Sequence, residues 1–114
     1  MVKMSVYYRF NKEAYFDHDY YQIHHYRLTK SILGQYGLVR LELDRCIASA
    51  GGGVPTFVAV THCYFETYRQ AQDALVLGCV RLMVDLPNYT NITPELILSE
   101  ISSSSQIPTD VLFT

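Results

Sequence analysis

Tryptophan is absent from the 114 residues, and cysteine is confined to Cys46, Cys63 and Cys79. Three thiols, odd in number, far apart and without a Cys-x-x-Cys pair, suggest neither a disulfide framework nor a zinc knuckle, so reduced and buried thiols are expected. Neither sign of charge is in excess, since nine Lys and Arg against eleven Asp and Glu leave a net charge of −2. That balance offers no basic footprint for nucleic acid. The opening MVKMSVYYRF is broken by Lys3 and Arg9, and it reads as neither a secretion signal nor a spanning helix. The expected location is cytoplasmic, with no nucleic acid and no membrane as partner.

What is abundant is tyrosine, at ten residues. Each pairs a large apolar ring with a hydroxyl that needs a partner, which suits pockets and interfaces where one end of the ring stays polar. An apolar fraction of 49% with 18% charged residues is that of a globular chain. A single domain of this length buries roughly two thirds of the surface exposed by its unfolded chain, enough for a core without staples.

The chain divides into two similar halves. Residues 2–10 alternate Met4, Val6, Tyr8 and Phe10 with Lys3, Ser5, Tyr7 and Arg9, the two-residue period of a strand. After a loop, Asp17 is placed to cap a helix that ends near Gly34, with Asp19 in its positive first turn. His18, Tyr21, His25, Leu28 and Ile32 form the face predicted to lie on the sheet. A second strand follows over 38–47, with Val39, Leu41 and Leu43 opposite Arg40, Glu42 and Asp44. The three glycines 51–53 read as a turn, because no Lys-Ser/Thr and no helix start follow them as a phosphate loop requires.

Residues 56–65 are apolar on both faces, as in a central strand. Thr67 and Gln70 have the spacing of a capping box. A helix with Ala71, Leu75, Cys79, Leu82 and Leu86 on its buried side should run from there to Pro87, which stops it. A last strand is predicted over 95–101. The serines 102–105 read as a linker to a tail, 102–114, whose Val111, Leu112 and Phe113 are expected to dock on the body or on a second subunit.

The order βαββαβ predicts an α+β, ferredoxin-like domain over 1–101: a four-stranded antiparallel sheet with both helices on one face. Two helices leave the other face bare, while the third strand is apolar on both sides. Pairing with a second copy through that face is therefore expected, burying about 800 Å² or more per subunit.

Several short motifs carry a resemblance. Phe16-Asp17-His18-Asp19-Tyr20-Tyr21, followed by His25 and Leu28, resembles the Phe-Asp-x-x-Tyr…His-x-Pro-Leu opening of the EthD family. Asp44-Arg45 is similar to its Asp-Arg step, His62-Cys63-Tyr64-Phe65 to its His-x-Tyr-Phe strand, and Pro87-Asn88-Tyr89-Thr90 to its Pro-Asn-Tyr-Thr motif. Arg27 and Cys46 depart from that pattern, standing where proline and glycine are usual. The resemblance covers nearly all of 1–101. It implies a dimeric α+β barrel in which each subunit keeps a pocket between sheet and helices.

It also implies a protein of catabolic or secondary metabolism that binds or acts on a small hydrophobic, oxygenated compound, as an accessory to an oxygenase component. Alternatives from the same superfamily are a cofactor-free oxygenase, decarboxylase or isomerase, and a haem-binding barrel. For an enzyme, His25 is the candidate acid or base because its ordinary pKa lies near neutrality, with Tyr21 and His62 orienting a substrate and Tyr89 closing one end. His18, Leu28, Asp44, Arg45 and Asn88 are expected to line the pocket. The alternative for His25 is a structural hydrogen bond to the sheet or to Asp44. His18, His25 and His62 lack a well-spaced carboxylate to complete a metal site, and neither metal nor cofactor is expected.

Overall fold

Alternating side chains place four strands: β1 (Val2–Arg9), β2 (Arg40–Arg45), β3 (Phe57–Phe65) and β4 (Glu95–Glu100). In the computed structural model, which describes residues 1–108, they form one antiparallel sheet in the order β2-β3-β1-β4. This is the ferredoxin-like arrangement expected from the order of elements. The tail triplet Val111, Leu112 and Phe113 lies outside the described residues. No helix among those described is long and apolar enough to cross a membrane.

Register decides which residues share a face. Met4 lies opposite Cys63 on one side and Leu98 on the other, and Leu41 opposite Cys63, so these four form a row on the helix-covered face. One residue along, Ser5, His62, Ile97 and Glu42 form a row on the open face. Successive side chains on a strand point to opposite sides, so the two rows cannot mix.

Helix α1 runs over residues 18–34 and helix α2 over residues 68–83, each as α-helix interrupted by one π turn, at Tyr21–His25 and Ala74–Gly78. The Asp17 carboxylate accepts from the Tyr20 N–H at 3.0 Å, and Thr67 and Gln70 form the expected reciprocal cap. The π turns explain a pattern that α-periodicity alone does not. Tyr21, His25, Thr29 and Leu33 step by four residues and are all buried. An α-helix advances 3.6 residues per turn, so a strict step of four drifts around it, and one wider turn absorbs the drift.

Leu33, Ile32, Ala71, Ala74 and Leu82 close over Met4, Cys63 and Phe65 to make the main core. Each large side chain in it contributes about 1.5–3 kcal/mol relative to an exposed one. The helices meet closely at Gly78, where a Cβ would stand 2.6 Å from Leu33 Cδ2. Beyond α1 the chain reverses at Gly37, whose φ of 95° lies in the left-handed region that glycine tolerates.

The end of the second helix shifts from expectation, while the glycine turn forms as expected. The second helix ends at Met83, and Pro87 sits in a separate 3-10 turn, Leu86–Asn88. The glycine segment is a turn closed on itself, with Ser49 N–H donating to Gly53 O and Gly52 N–H to Ser49 O.

Candidate functional site

The motif after α2 is a latch before it is anything else. Asp17 N–H donates to Tyr89 O at 2.7 Å, the Thr90 hydroxyl to Tyr15 O at 2.6 Å, and the Asn91 amide to Glu13 O at 2.9 Å. These bonds hold the start of α1 against the turn that follows α2. Side chains from both ends of the sequence consequently converge under the helices.

At the convergence lies a hydrogen-bonded chain. Asp85 Oδ2 is 2.9 Å from His25 Nδ1, while Oδ1 accepts from the Tyr20 hydroxyl at 2.6 Å and from the Asn88 amide at 3.0 Å. A carboxylate only accepts, so His25 carries its proton on Nδ1 and presents a bare Nε2. That nitrogen is 3.4 Å from the Tyr89 hydroxyl, which is itself 2.8 Å from the Tyr8 hydroxyl. Tyr21 stacks on the imidazole with centroids 5.2 Å apart.

Burial sets the electrostatics. It lowers the His25 pKa below the usual histidine value, with Asp85 opposing only in part, so the ring is neutral at pH 7. Burial also pushes the Asp85 carboxyl up, but the bonds from Tyr20, Asn88 and His25 together outweigh it and leave the group below the ordinary aspartate range. Tyr8, Tyr21 and Tyr89 are all raised, chiefly by burial, and remain protonated. The Cys63 and Cys79 thiols are pushed up to about 12 and about 11 by the same cause and stay un-ionised. They are inert neighbours rather than nucleophiles.

Next to this chain, between sheet and helices, is a cavity of about 50 Å³. Tyr21, His25, Thr29 and Leu33 of α1 form one wall, and Met4, Val6, Tyr8, Thr61 and Cys63 of the sheet form the other. Leu82, Met83, Leu86 and Tyr89 close the end. Two buried hydroxyls have no hydrogen-bond partner, Tyr21 Oη and Thr61 Oγ1, and both residues line this space. Tyr21 Oη neighbours the Tyr8 hydroxyl without meeting it in hydrogen-bond geometry.

Of the residues singled out in the sequence, His25, Tyr21 and Tyr89 meet around the cavity. His62 does not. The alternation of β3 sends it to the open face, where Nε2 is 2.8 Å from Asp44 Oδ2 and Nδ1 is 3.3 Å from Ser5 Oγ. Grouping it with His25 in one pocket is corrected by that register. His18, Asp44 and Arg45 border a separate groove of about 80 Å³, which Tyr21 also lines. Leu28 packs on the main core, and Asn88 is exposed with its amide on Asp85. The structural partner proposed for His25, Asp44, is replaced by Asp85.

No pattern in the sequence singles out Asp85, Tyr20, Tyr8 or Thr61 as site residues. Asp85 stands directly before the Leu-Pro-Asn-Tyr turn, a position whose meaning depends on the latch. Tyr8 and Thr61 sit on strand faces where nothing but register marks them.

Four antiparallel strands, two helices on one face and a cavity between the layers lined by His25 and tyrosines define a ferredoxin-like α+β domain with an enclosed polar cluster. Neither a family model nor a curated protein matches the chain. Solved structures do. An EthD-like protein from Ralstonia eutropha is 30% identical with a TM-score of 0.81, covering 91% of this chain and 94% of that one. An EthD family protein from Bacillus halodurans is 20% identical with a TM-score of 0.63, over 89% of this chain and 98% of that one. An Arabidopsis thaliana protein at 10% identity has a TM-score of 0.66, over 93% and 100% of the two chains. The last two share the fold. With the first, the likeness extends to sequence over nearly the whole of both chains, and this chain belongs to the EthD family.

Proposed function

We propose that the protein binds a small, largely apolar, oxygenated compound in the cavity and moves a proton on it without a cofactor, with His25 as the base. The observation that carries this reading is the Asp85-bound imidazole, whose unprotonated Nε2 lies 3.4 Å from the Tyr89 hydroxyl in a ring that borders a cavity shared with Tyr21 and Thr61, two residues with unpaired hydroxyls. In the step, Nε2 takes a proton from the carbon next to the ligand's carbonyl group. The C–H bond breaks and an N–H bond forms; the C–H electron pair becomes a C=C bond to the carbonyl carbon, and the C=O π pair moves onto the oxygen to make an enolate. Asp85 stabilises the imidazolium, and the proton is then returned to carbon or oxygen. Positioned general-base catalysis of this kind is worth about 10²–10⁴-fold in rate.

The haem alternative has no support in the same geometry, because a cavity of about 50 Å³ admits a few water-sized groups and not a porphyrin. The open sheet face, with Ile97 53% exposed, is proposed as the contact with a second copy.

The test is solvent deuterium exchange into small enolisable ketones, followed by proton NMR at neutral pH. Wild-type protein should accelerate exchange and His25→Gln should abolish the acceleration with an unchanged fold. Saturable ligand binding without any accelerated exchange would make the protein a binding module, as an accessory to an oxygenase requires.

A further inference from the structure

Thr61 is unusual for its position. It lies on the helix-covered face of β3 between Ala59 and Cys63, opposite Val6 on β1 and Leu43 on β2, in a row that is otherwise apolar. Only 4% exposed, its hydroxyl has no partner. A buried hydroxyl without a hydrogen bond is costly, and valine of the same shape avoids that cost. Tyr21, 3% exposed, brings a second unpaired hydroxyl to the same cavity from the helix wall. Both groups can donate, whereas His25 Nε2 can only accept.

We infer that Thr61 and Tyr21 form an oxygen-binding site inside the cavity, and that the compounds it takes are small, neutral carbonyl compounds. This inference deepens the proton-transfer reading and rests on the same cavity. Two donors suit an acceptor oxygen, and the acceptor nitrogen of His25, a residue of the same cavity wall, suits the acidic C–H next to a carbonyl. Apart from His25, no described residue lining the cavity is ionisable as an acid or base near neutral pH, and no lysine, arginine or carboxylate lines it. Carboxylates and phosphates would enter without a counter-charge, which the buried site penalises. A volume of about 50 Å³ holds roughly four water-sized groups, matching a short ketone or a five-membered ring.

The experiment titrates the full chain with cyclopentanone and with cyclopentane, followed by amide NMR, in wild type, Thr61→Val and Tyr21→Phe. Wild type should bind the ketone more tightly than the hydrocarbon. Thr61→Val should weaken the ketone by about three- to tenfold, the worth of one neutral hydrogen bond, and leave cyclopentane unchanged. Its melting temperature should be no lower than that of wild type, because an unpaired hydroxyl has been removed. Tyr21→Phe should act in the same sense and serves alone if the threonine variant misfolds. An equal loss for both ligands, an unchanged ketone affinity, or no saturable ketone shift in wild type overturns the inference. If His25→Gln exchanges ketone deuterium as fast as wild type, the proton-transfer reading fails while the binding comparison still decides the oxygen site.

Discussion

Asp85→Asn separates the charge of Asp85 from its shape. Tyr20 and Asn88 both donate to Oδ1, and only His25 meets Oδ2. An asparagine amide can keep its oxygen at the Oδ1 position, retaining two bonds, which places its NH₂ opposite His25 Nδ1. Two donors cannot share a hydrogen bond. The imidazole must therefore move its proton to Nε2, and the unprotonated nitrogen that serves as base is lost.

The three bonds from Tyr20, Asn88 and His25 all lose their charge assistance, a destabilisation of about 2 kcal/mol with Asn88 exposed. For a domain of this size that lowers the melting temperature by about 5–10 °C. Activity should fall much further, on the order of 10³–10⁴-fold, as in serine proteases when the triad aspartate is replaced by asparagine and the histidine takes the wrong tautomer. Imidazole ¹⁵N NMR checks the cause directly: wild type should show the proton on Nδ1 and the variant on Nε2. A variant that keeps the Nδ1 tautomer, or that exchanges ketone deuterium within tenfold of wild type, refutes the argument.

Stability should be level above pH 6.5 and decline below it. The folded His25 pKa is lowered by burial, so the unfolded chain binds that proton first as pH falls, and stability is lost through the folded value. His18, lowered by burial and by Arg45, adds to the same limb. Asp85, held below its ordinary value, extends the loss below about pH 4. His25→Gln should flatten the upper part of this limb in urea titrations at successive pH values. Gly37→Ala should cost about 1–3 kcal/mol, because it forces a φ of 95° on alanine and brings its Cβ to 2.7 Å from Gln70 Nε2. It should combine less than additively with Thr67→Ala in chemical denaturation, since both act through the Gln70 cap. Sedimentation should give a dimer for wild type and a monomer for Ile97→Glu, which puts a charge on the open face; a monomeric wild type removes that interface.

The strands and caps were legible because their signals are local. The alternation of Met4, Val6 and Tyr8, the Asp17 cap and the Thr67 and Gln70 box each need only a few neighbouring residues. The helix stripe was half legible: Tyr21, His25 and Ile32 are buried as expected, but Thr29 and Leu33 line up only because of the π turn. The site was less legible still. His62 and Cys63 are adjacent in sequence and on opposite faces, so register, set by pairing across three strands, decided which of them reached the cavity. Asp85 is sixty residues from His25, and no periodicity links the two. What joins them is the latch of Tyr15, Thr90 and Asn91.

The π turn at Tyr21–His25 makes the site depend on a count as well as on side-chain identity. A π turn is one residue longer than the α turn it replaces, and one residue of helix corresponds to a rotation of about 100°. Removing any single residue from that turn restores ordinary winding while leaving most side chains in the chain. The segment before it would then swing Tyr21 off the cavity, or the segment after it would carry Thr29 and Leu33 off the core. Insertions and deletions in this helix should therefore be more damaging than most substitutions, and a relative with the same residues and a helix shorter by one would have a differently shaped cavity.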